Sequence, residues 1–267
     1  MLNRYHIPKN KIYVFVANQT EKKTYQEHLD SELYGHLVVG KKGLKNQRNF
    51  ITKYFPIGQE IVHLDDDISE LRLLGNKLVN PFEASKSPQT HRKKTKKKQI
   101  RPRKKYTQSY RKKNFLRSLT SLDKFVTKAF QTLKAKKLFL WGIYPINNPY
   151  FMTQQITTDL RLIVGPVWGS INRHDSDLVL TIDEKEDVER TLQHYTKDGG
   201  VLRFNNVSAV TTYYRTPGGM QAHQRDRKKD ALESAIYLNK KYPELTKLYL
   251  EKKSGFAEVK LKDQRKK

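Results

Sequence analysis

Glu60-Ile61-Val62-His63-Leu64-Asp65-Asp66-Asp67 is the stretch on which the reading of the fold turns. Glu60 to Leu64 has the length and apolar, β-branched content of a buried strand. Three consecutive carboxylates at the end of such a strand are costly without a partner, because like charges this close raise each other's pKa or recruit a cation. Upstream, Pro56 and Gly58 close a segment of helical spacing, Leu44 to Tyr54, with Phe50, Ile51 and Tyr54 on one side. Before it come a short strand at His36 to Val39, closed by Gly40 and Gly43, and a helix-compatible stretch from Thr20 to about Leu33. Lys11 to Ala17 reads as the first strand. This βαβαβ order predicts a parallel sheet with right-handed crossovers. In such sheets ligands bind beyond the carboxyl ends of the strands, which is where Asp65, Asp66 and Asp67 fall.

A hard divalent cation, Mg²⁺ or Mn²⁺, suits carboxylate oxygens and can bridge the two phosphates of a diphosphate. Alternate side chains leave one face of an extended backbone, so Asp65 and Asp67 reach a ligand together while Asp66 points elsewhere. The competing reading is an acidic helix cap, with Asp67 or Ser69 opening a helix from Ile68 to Leu74. A second acidic group, Glu184, Glu186, Asp187 and Glu189, opens a predicted helix from Asp183 to Tyr195, where it suits the macrodipole. Most of it reads as a solvated helix end; Glu186 and Asp187 are the candidates for a general base acting on an acceptor hydroxyl. Gln47-Arg48-Asn49 sits near a helix start, where N–H groups and a guanidinium can meet a uracil or phosphate, or simply form an exposed turn. Gly40-Lys41-Lys42-Gly43 is no Walker motif. His223, alone in the loop Thr216 to His223, is read first as structural.

Fifty-three Lys and Arg against twenty-seven Asp and Glu give a net charge of +26, a field that attracts polyanions. Thirteen of the basic residues lie between Arg92 and Lys113 with no acid among them. Self-repulsion predicts a mobile insertion at 80–113. Arg92, Lys93, Lys94, Arg101, Arg103, Lys104 and Lys105 would contact DNA phosphates there, with Tyr106 and Tyr110 stacking on exposed bases. The bland alternative is a localisation signal or a solvated segment. Without cysteine the chain uses neither disulfides nor thiolate chemistry. It has no apolar run near the ~20 residues of a membrane helix and no signal-peptide pattern at its start, so a soluble intracellular protein with no membrane partner is expected. Asn114 to Lys137 has helical spacing, and Leu138–Ile143, Leu160–Gly169 and Leu178–Thr181 read as strands. Val201–Phe204 and Val207–Tyr214 read as a strand pair joined at Asn205-Asn206. Ala231 to Leu250 reads as a charged amphipathic helix, which divides the chain into a domain at 1–230 and a helix with charged tail at 231–267.

Val14-Phe15-Val16-Ala17-Asn18 with Glu21 and Tyr25, then Val38-Val39-Gly40 with Gly43-Leu44 and Gln47-Arg48-Asn49-Phe50, then Ile61 to Ile68, resembles the TET/JBP-associated glycosyltransferases of phages, large DNA viruses and kinetoplastids. Looser matches follow at Gly165-Pro166, Glu186-Asp187, Gly199-Gly200 and Gly218-Gly219-Met220-Gln221. The resemblance implies an α/β chain of GT-A type: a Rossmann-like, mostly parallel sheet flanked by helices, binding UDP-glucose or UDP-N-acetylglucosamine through the Asp triplet and Mn²⁺ or Mg²⁺. It implies Asp67, with Asp65 and His223, at the metal, and Asp65 also at ribose or sugar hydroxyls. Ala17, Asn18, Tyr25 and Arg48 would surround the uridine, with Gly43, Gln47 and Asp66 on the same nucleotide side. Glu186 or Asp187 would be the base. The implied acceptor is the hydroxymethyl group of 5-hydroxymethylcytosine or 5-hydroxymethyluracil in duplex DNA. Rival readings are transfer to protein Ser or Thr, a non-catalytic nucleic-acid-binding module, and a metal nuclease.

Overall fold

The computed structural model describes residues 1–79, 111–211, 226–250 and 255–262; the expected insertion at 80–113 lies almost wholly outside them. The first βαβ unit forms as expected: β1 (Tyr13–Val16), α1 (Gln19–His28) and β2 (His36–Val39), with β1 and β2 parallel from Tyr13↔His36 to Val16↔Val39. α1 starts where it does because Asn18 Oδ1 accepts the Glu21 N–H (2.9 Å) and the Glu21 carboxylate accepts the Ala17 N–H (2.7 Å). This reciprocal pair satisfies two amides at the helix entrance. α2 (Leu44–Tyr54) and β3 (Glu60–Leu64) also fall at their expected positions. Gly43 precedes α2 with φ of 93°, in the region that favours glycine.

The pairing of β3 departs from expectation. Rather than extending a parallel sheet from β1 and β2, β3 pairs antiparallel with β8 (Val167–Ile171) at the edge of a seven-stranded sheet. Its order is β3-β8-β6-β9-β4-β5, comprising β6 (Leu140–Tyr144), β9 (Leu202–Thr211), β4 (Ile68–Val79) and β5 (Arg111–Ser118), with the short β7 (Ile156–Thr157) also on β9. β6–β9 is the parallel pairing in this sheet; the others are antiparallel. The chain is therefore α/β with a mixed, mostly antiparallel main sheet.

Other local readings change as well, among them Leu178–Thr181, read as a strand, which forms none: Ser176–Leu178 is a short 3-10 helix. The segment after the triplet is strand β4, so no helix is capped by Asp67 or Ser69. Asn114 to Ser118 is also strand, and the helical spacing seen from Asn114 begins in earnest at α3 (Leu122–Ala135), capped by the Ser121 hydroxyl on the Lys124 N–H. β9 runs unbroken through Asn205-Asn206: the register jumps between Ile143↔Phe204 and Tyr144↔Ser208, and Asn205 is held by Arg203 and Thr157. α4 (Glu186–Asp198) ends at Gly199 as expected. α5 (Arg227–Lys241) stops before Leu250, and β10 (Thr246–Tyr249) pairs with β11 (Glu258–Leu261) as an antiparallel ribbon. Ala235, Leu238 and Val259 of these elements share a core with Val188 and Leu192 of α4.

α3 supplies the cover for one face of the main sheet, burying Phe125, Ala129, Phe130 and Leu133 against Trp141, Ile143, Val167 and Leu202. Phe125, Phe130 and Phe204 meet Trp141 edge to face at 5.6, 5.7 and 6.3 Å. Such pairs add about 0.5–1.5 kcal/mol each beyond area burial. The indole lies flat over Gly169 of β8, where an added Cβ would come within 2.4 Å of it. Gly169→Ala is therefore expected to displace Trp141 from its ring cage and cost about 1–3 kcal/mol, read as a lower urea midpoint with an unchanged slope. An unchanged midpoint would show that the indole is not wedged against that glycine.

Candidate active site

The triplet forms a tight turn between β3 and β4, and its first residue still belongs to the sheet: the Asp65 N–H donates to Pro166 O at 3.0 Å. Leu64 pairs with Val167 and Trp168 with Gly142, so the turn lies beyond the carboxyl ends of both β3 and β6. Arg48, one turn into α2, reaches up to Asp65 Oδ1 at 2.7 Å with a side chain that is only 10% exposed. Its other terminal nitrogen lies 3.5 Å from His63 Nδ1. Burial and the guanidinium groups of Arg48 and Arg190 hold His63 well below the ordinary histidine pKa, so the ring is neutral and accepts from Arg48. His63 stacks on Trp168 at 3.7 Å and 6°, and the Arg190 guanidinium lies 3.8 Å over the same indole. Imidazole, indole and guanidinium thus form three layers beneath the triplet.

Burial and then its neighbours Asp65 and Asp66 raise the pKa of Asp67. Tyr25 on α1 is raised by burial and by Asp66, then Glu21, which places its phenol in the field of the triplet. Tyr25, Arg48, Asp65, Asp66 and Asp67 are accordingly brought together. Asn18 and the Ala17 amide are engaged in capping α1. Gln47 Oε1 accepts the Lys41 N–H at 2.7 Å and lies over Gly40, where a Cβ would collide with it. Gln47 thereby pins the turn that leads to Gly43 and the start of α2. His223 and the basic residues from Arg92 to Tyr106 lie outside the described residues.

The second acidic group is delivered by a segment tied to α2. Asn49 exchanges two hydrogen bonds with the backbone of Leu180, both 2.9 Å, and the Asp183 carboxylate accepts the Lys45 N–H at 2.9 Å. The chain enters α4 through Lys185 in a left-handed conformation (φ 64°). The expected solvated helix end is mostly buried. Glu189, fully buried, accepts from Thr181 N, Thr181 Oγ1 and Ile182 N. Glu184 pairs with Arg227 at 3.0 Å. Glu186 and Arg190 form an ion pair in which each side chain is 4% exposed. Asp187 is left with the Val188 N–H, and burial, then the Glu186 carboxylate, push its pKa up to about 6 against the opposing pull of Arg190. A Cβ added to Gly165 would lie 3.7 Å from Glu186 Oε1 and 3.9 Å from Asp65 Oδ2, so the two acidic groups face each other across that glycine.

Trp168, His63 and Arg190 were not legible as site residues. The available signal was the i,i+4 spacing of Glu186 and Arg190 on one face of α4. Among the described residues no group of three or more His, Asp or Glu side chains is disposed to hold a metal ion, and no helix is long and apolar enough to cross a membrane. Comparison of the chain with models of protein families, with curated proteins and with solved structures finds no match.

Proposed function

We propose that the chain is a metal-dependent glycosyltransferase of GT-A type that moves a sugar from a UDP-sugar to the hydroxymethyl group of a modified pyrimidine in DNA. The observation that carries the reading is the approach of the two acidic groups: a carboxylate turn at the carboxyl end of β3, and the Glu186 carboxylate of α4 facing Asp65 across Gly165, with the raised carboxyl of Asp187 next to Glu186 in the chain. The triplet would take a hard divalent cation through Asp65 and Asp67 alone, since burial and then the like charges of Asp65 and Asp66 raise Asp67, a cost that a bound cation relieves. Asp67 would hold the cation together with the Asp65 oxygen that does not accept from Arg48. When bound, the cation neutralises the departing diphosphate.

The protein's own groups supply the rest. Arg48 fixes Asp65, and Tyr25 lies on the nucleotide side of the turn. Asp187 takes the proton of the acceptor hydroxyl as its oxygen bonds to the anomeric carbon and the anomeric carbon–phosphate oxygen bond breaks. A carboxyl with a pKa of about 6 suits this role near neutral pH, since it is ionised there and still basic enough to receive the proton. The net charge of +26 supports a polyanionic acceptor.

The test incubates the protein with Mn²⁺, a panel of UDP-sugars, and duplex DNA containing 5-hydroxymethylcytosine or 5-hydroxymethyluracil, followed by mass spectrometry of the digested nucleosides. A hexose- or N-acetylhexosamine-sized gain that vanishes with Asp67→Ala is expected. No gain on either DNA, with metal-dependent UDP release retained, removes DNA as acceptor; no gain and no UDP release removes the glycosyltransferase reading.

A further inference from the structure

Trp168, Gly142 and Arg203 stand in register across β8, β6 and β9, so their side-chain positions share one face of the main sheet. It is the face away from α3, because Leu202 and Phe204 beside Arg203, and Trp141 and Ile143 beside Gly142, belong to the core that α3 covers. Ile163 fills the space over Gly142, and Arg190 donates to its carbonyl at 3.1 Å. Tyr144, the last residue of β6, alternates onto this face as well, and the Arg203 guanidinium lies 5.3 Å from its ring. Arg203 therefore stands on the surface that carries the acidic centre, near the carboxyl end of β6, where α/β sheets place their ligands.

Its neighbours fix Arg203 without neutralising it. Nε donates to Asn205 Oδ1 at 2.7 Å, and Asn205 in turn donates to Thr157 Oγ1 at 3.2 Å. Both terminal nitrogens lack an acceptor among the described residues, and neither is enclosed. The second cation is Arg161, at most about 14 Å of extended chain before Gly165. It takes Asp159 at 2.7 Å, and the other Asp159 oxygen is enclosed without a donor, so Arg203 has no ion pair among the described residues. Burial, then the Arg161 charge, push the Arg203 pKa down to about 10 against the opposing pulls of Tyr144 and Asp159. Arg203 is still a cation at neutral pH, and an anion would relieve the cost of holding it beside another.

A guanidinium with Nε tied back and its plane set by an aromatic ring presents a fixed fork, which matches a phosphate. The loop leaving Tyr144 indicates whose phosphate it is. Asn147 accepts from Ser208 at 3.0 Å and the Thr153 N–H donates to the Asn205 carbonyl at 3.2 Å, which pins the loop beside Arg203. Between these ties it carries Tyr150 and Phe151, 82% and 53% exposed. Open aromatic rings and backbone-tracking cations together are the means by which proteins hold an unpaired nucleic-acid strand.

We propose that Arg203, with Arg161 beside it, grips a backbone phosphate of the acceptor strand, so that the strand enters over the carboxyl end of β6 and leads its modified base towards Gly165. This rests on the reading of DNA as the acceptor, whose reacting base must leave the stack.

The experiment measures binding of a labelled single-stranded oligonucleotide containing 5-hydroxymethylcytosine to the whole protein, without metal or donor, by anisotropy across a range of salt. Loss of one phosphate contact to a single strand lowers the slope of log affinity against log salt by about 0.7. Arg203→Gln is expected to show that loss, with binding weakened by about tenfold. Arg203→Lys should recover the slope but only part of the affinity, since it keeps the charge and lacks the fork. Should Arg203→Gln not fold, Arg161→Gln should lower the slope in its place. An unchanged slope in a folded variant overturns the proposal. In turnover, Arg203→Gln should raise KM for DNA and leave KM for the UDP-sugar as it was. A raised donor KM with unchanged DNA binding gives the pair to the diphosphate and overturns the proposal too. A chain that binds the strand through Arg203 yet transfers no sugar keeps the grip and removes the activity; transfer to DNA with an unchanged slope in Arg203→Gln does the reverse.

Discussion

Asp187→Asn is expected to abolish transfer while making the protein harder to unfold near neutral pH. Loss of a positioned general base costs about 10²–10⁴-fold in rate, read as kcat/KM with the UDP-sugar held constant. The native enzyme should show kcat/KM rising with pH and levelling above about 6, where the Asp187 carboxyl ionises. The stability arm follows from the same shift. Burial, then Glu186, raise the folded-state pKa from 3.8 to about 6, so between those values the folded chain binds more protons than the unfolded one. Stability from this group is full below the unfolded pKa and is lost as pH climbs through the folded one. At pH values above about 6 the fold carries an ionised, poorly solvated carboxylate. Asn removes that charge and still offers an oxygen to the Val188 N–H. At about 1.4 kcal/mol per unit, the gain should be about 2–3 kcal/mol above neutrality and should shrink towards zero below pH 4. Urea unfolding of both proteins across this range checks it. A variant no more stable than the native chain at pH 7.5 would show that Asp187 is not a destabilised carboxyl, and its role as a tuned base would fall with that result.

The elements around this site show what the sequence carries and what it hides. β1, α1, β2, α2 and β3 were readable because their signals are local: Asn18 with Glu21 opens α1, and the glycines and Pro56 end the segments between. The partner of β3 was not readable, since nothing in Glu60 to Leu64 specifies pairing with Val167 to Ile171, a hundred residues on. The expectation of a mostly parallel sheet rested on extending the first βαβ unit by analogy, and failed at that step. Phe115 and Leu116 misled because their spacing continues into the true periodicity of α3; register with Gly75 and Leu74 makes them strand. At the site, carboxylates announce themselves by cost, so Asp65, Asp67, Glu186 and Asp187 could be nominated. Whether the α4 acids were solvated or buried was decided by tertiary partners, the backbone at 181–182 for Glu189, Arg227 for Glu184, and Trp168 and Ile163 against which Arg190 packs, which residue type and spacing at a helix start do not reveal. Trp168 and His63 read as ordinary strand residues, and their stacking exists only because β3 and β8 are neighbours.

Arg190→Met is expected to be the most destabilising single change near the site, at about 3–5 kcal/mol. Arg190 and Glu186 are each 4% exposed, so removing the cation leaves an uncompensated buried carboxylate next to Asp187. Methionine keeps most of the packing over Trp168, which confines the loss to charge. Glu186→Gln should also destabilise, because a buried guanidinium then loses its charged partner. The double variant should recover much of the loss, since a well-packed neutral pair is often no worse than the ion pair it replaces. A double-mutant cycle from denaturation midpoints therefore separates the pair from its surroundings. The two single changes should further move the pH dependence of transfer in opposite directions. Arg190 lowers the Asp187 pKa, so its removal should carry the rise in kcat/KM to higher pH; Glu186 raises it, so neutralising Glu186 should bring the rise to lower pH. Opposite shifts with a large coupling free energy would establish that the buried pair positions the base and sets its ionisation. Equal shifts, or additive losses in the cycle, would mean that Glu186 and Arg190 merely pack α4 against the sheet and that Asp187 is tuned by burial alone.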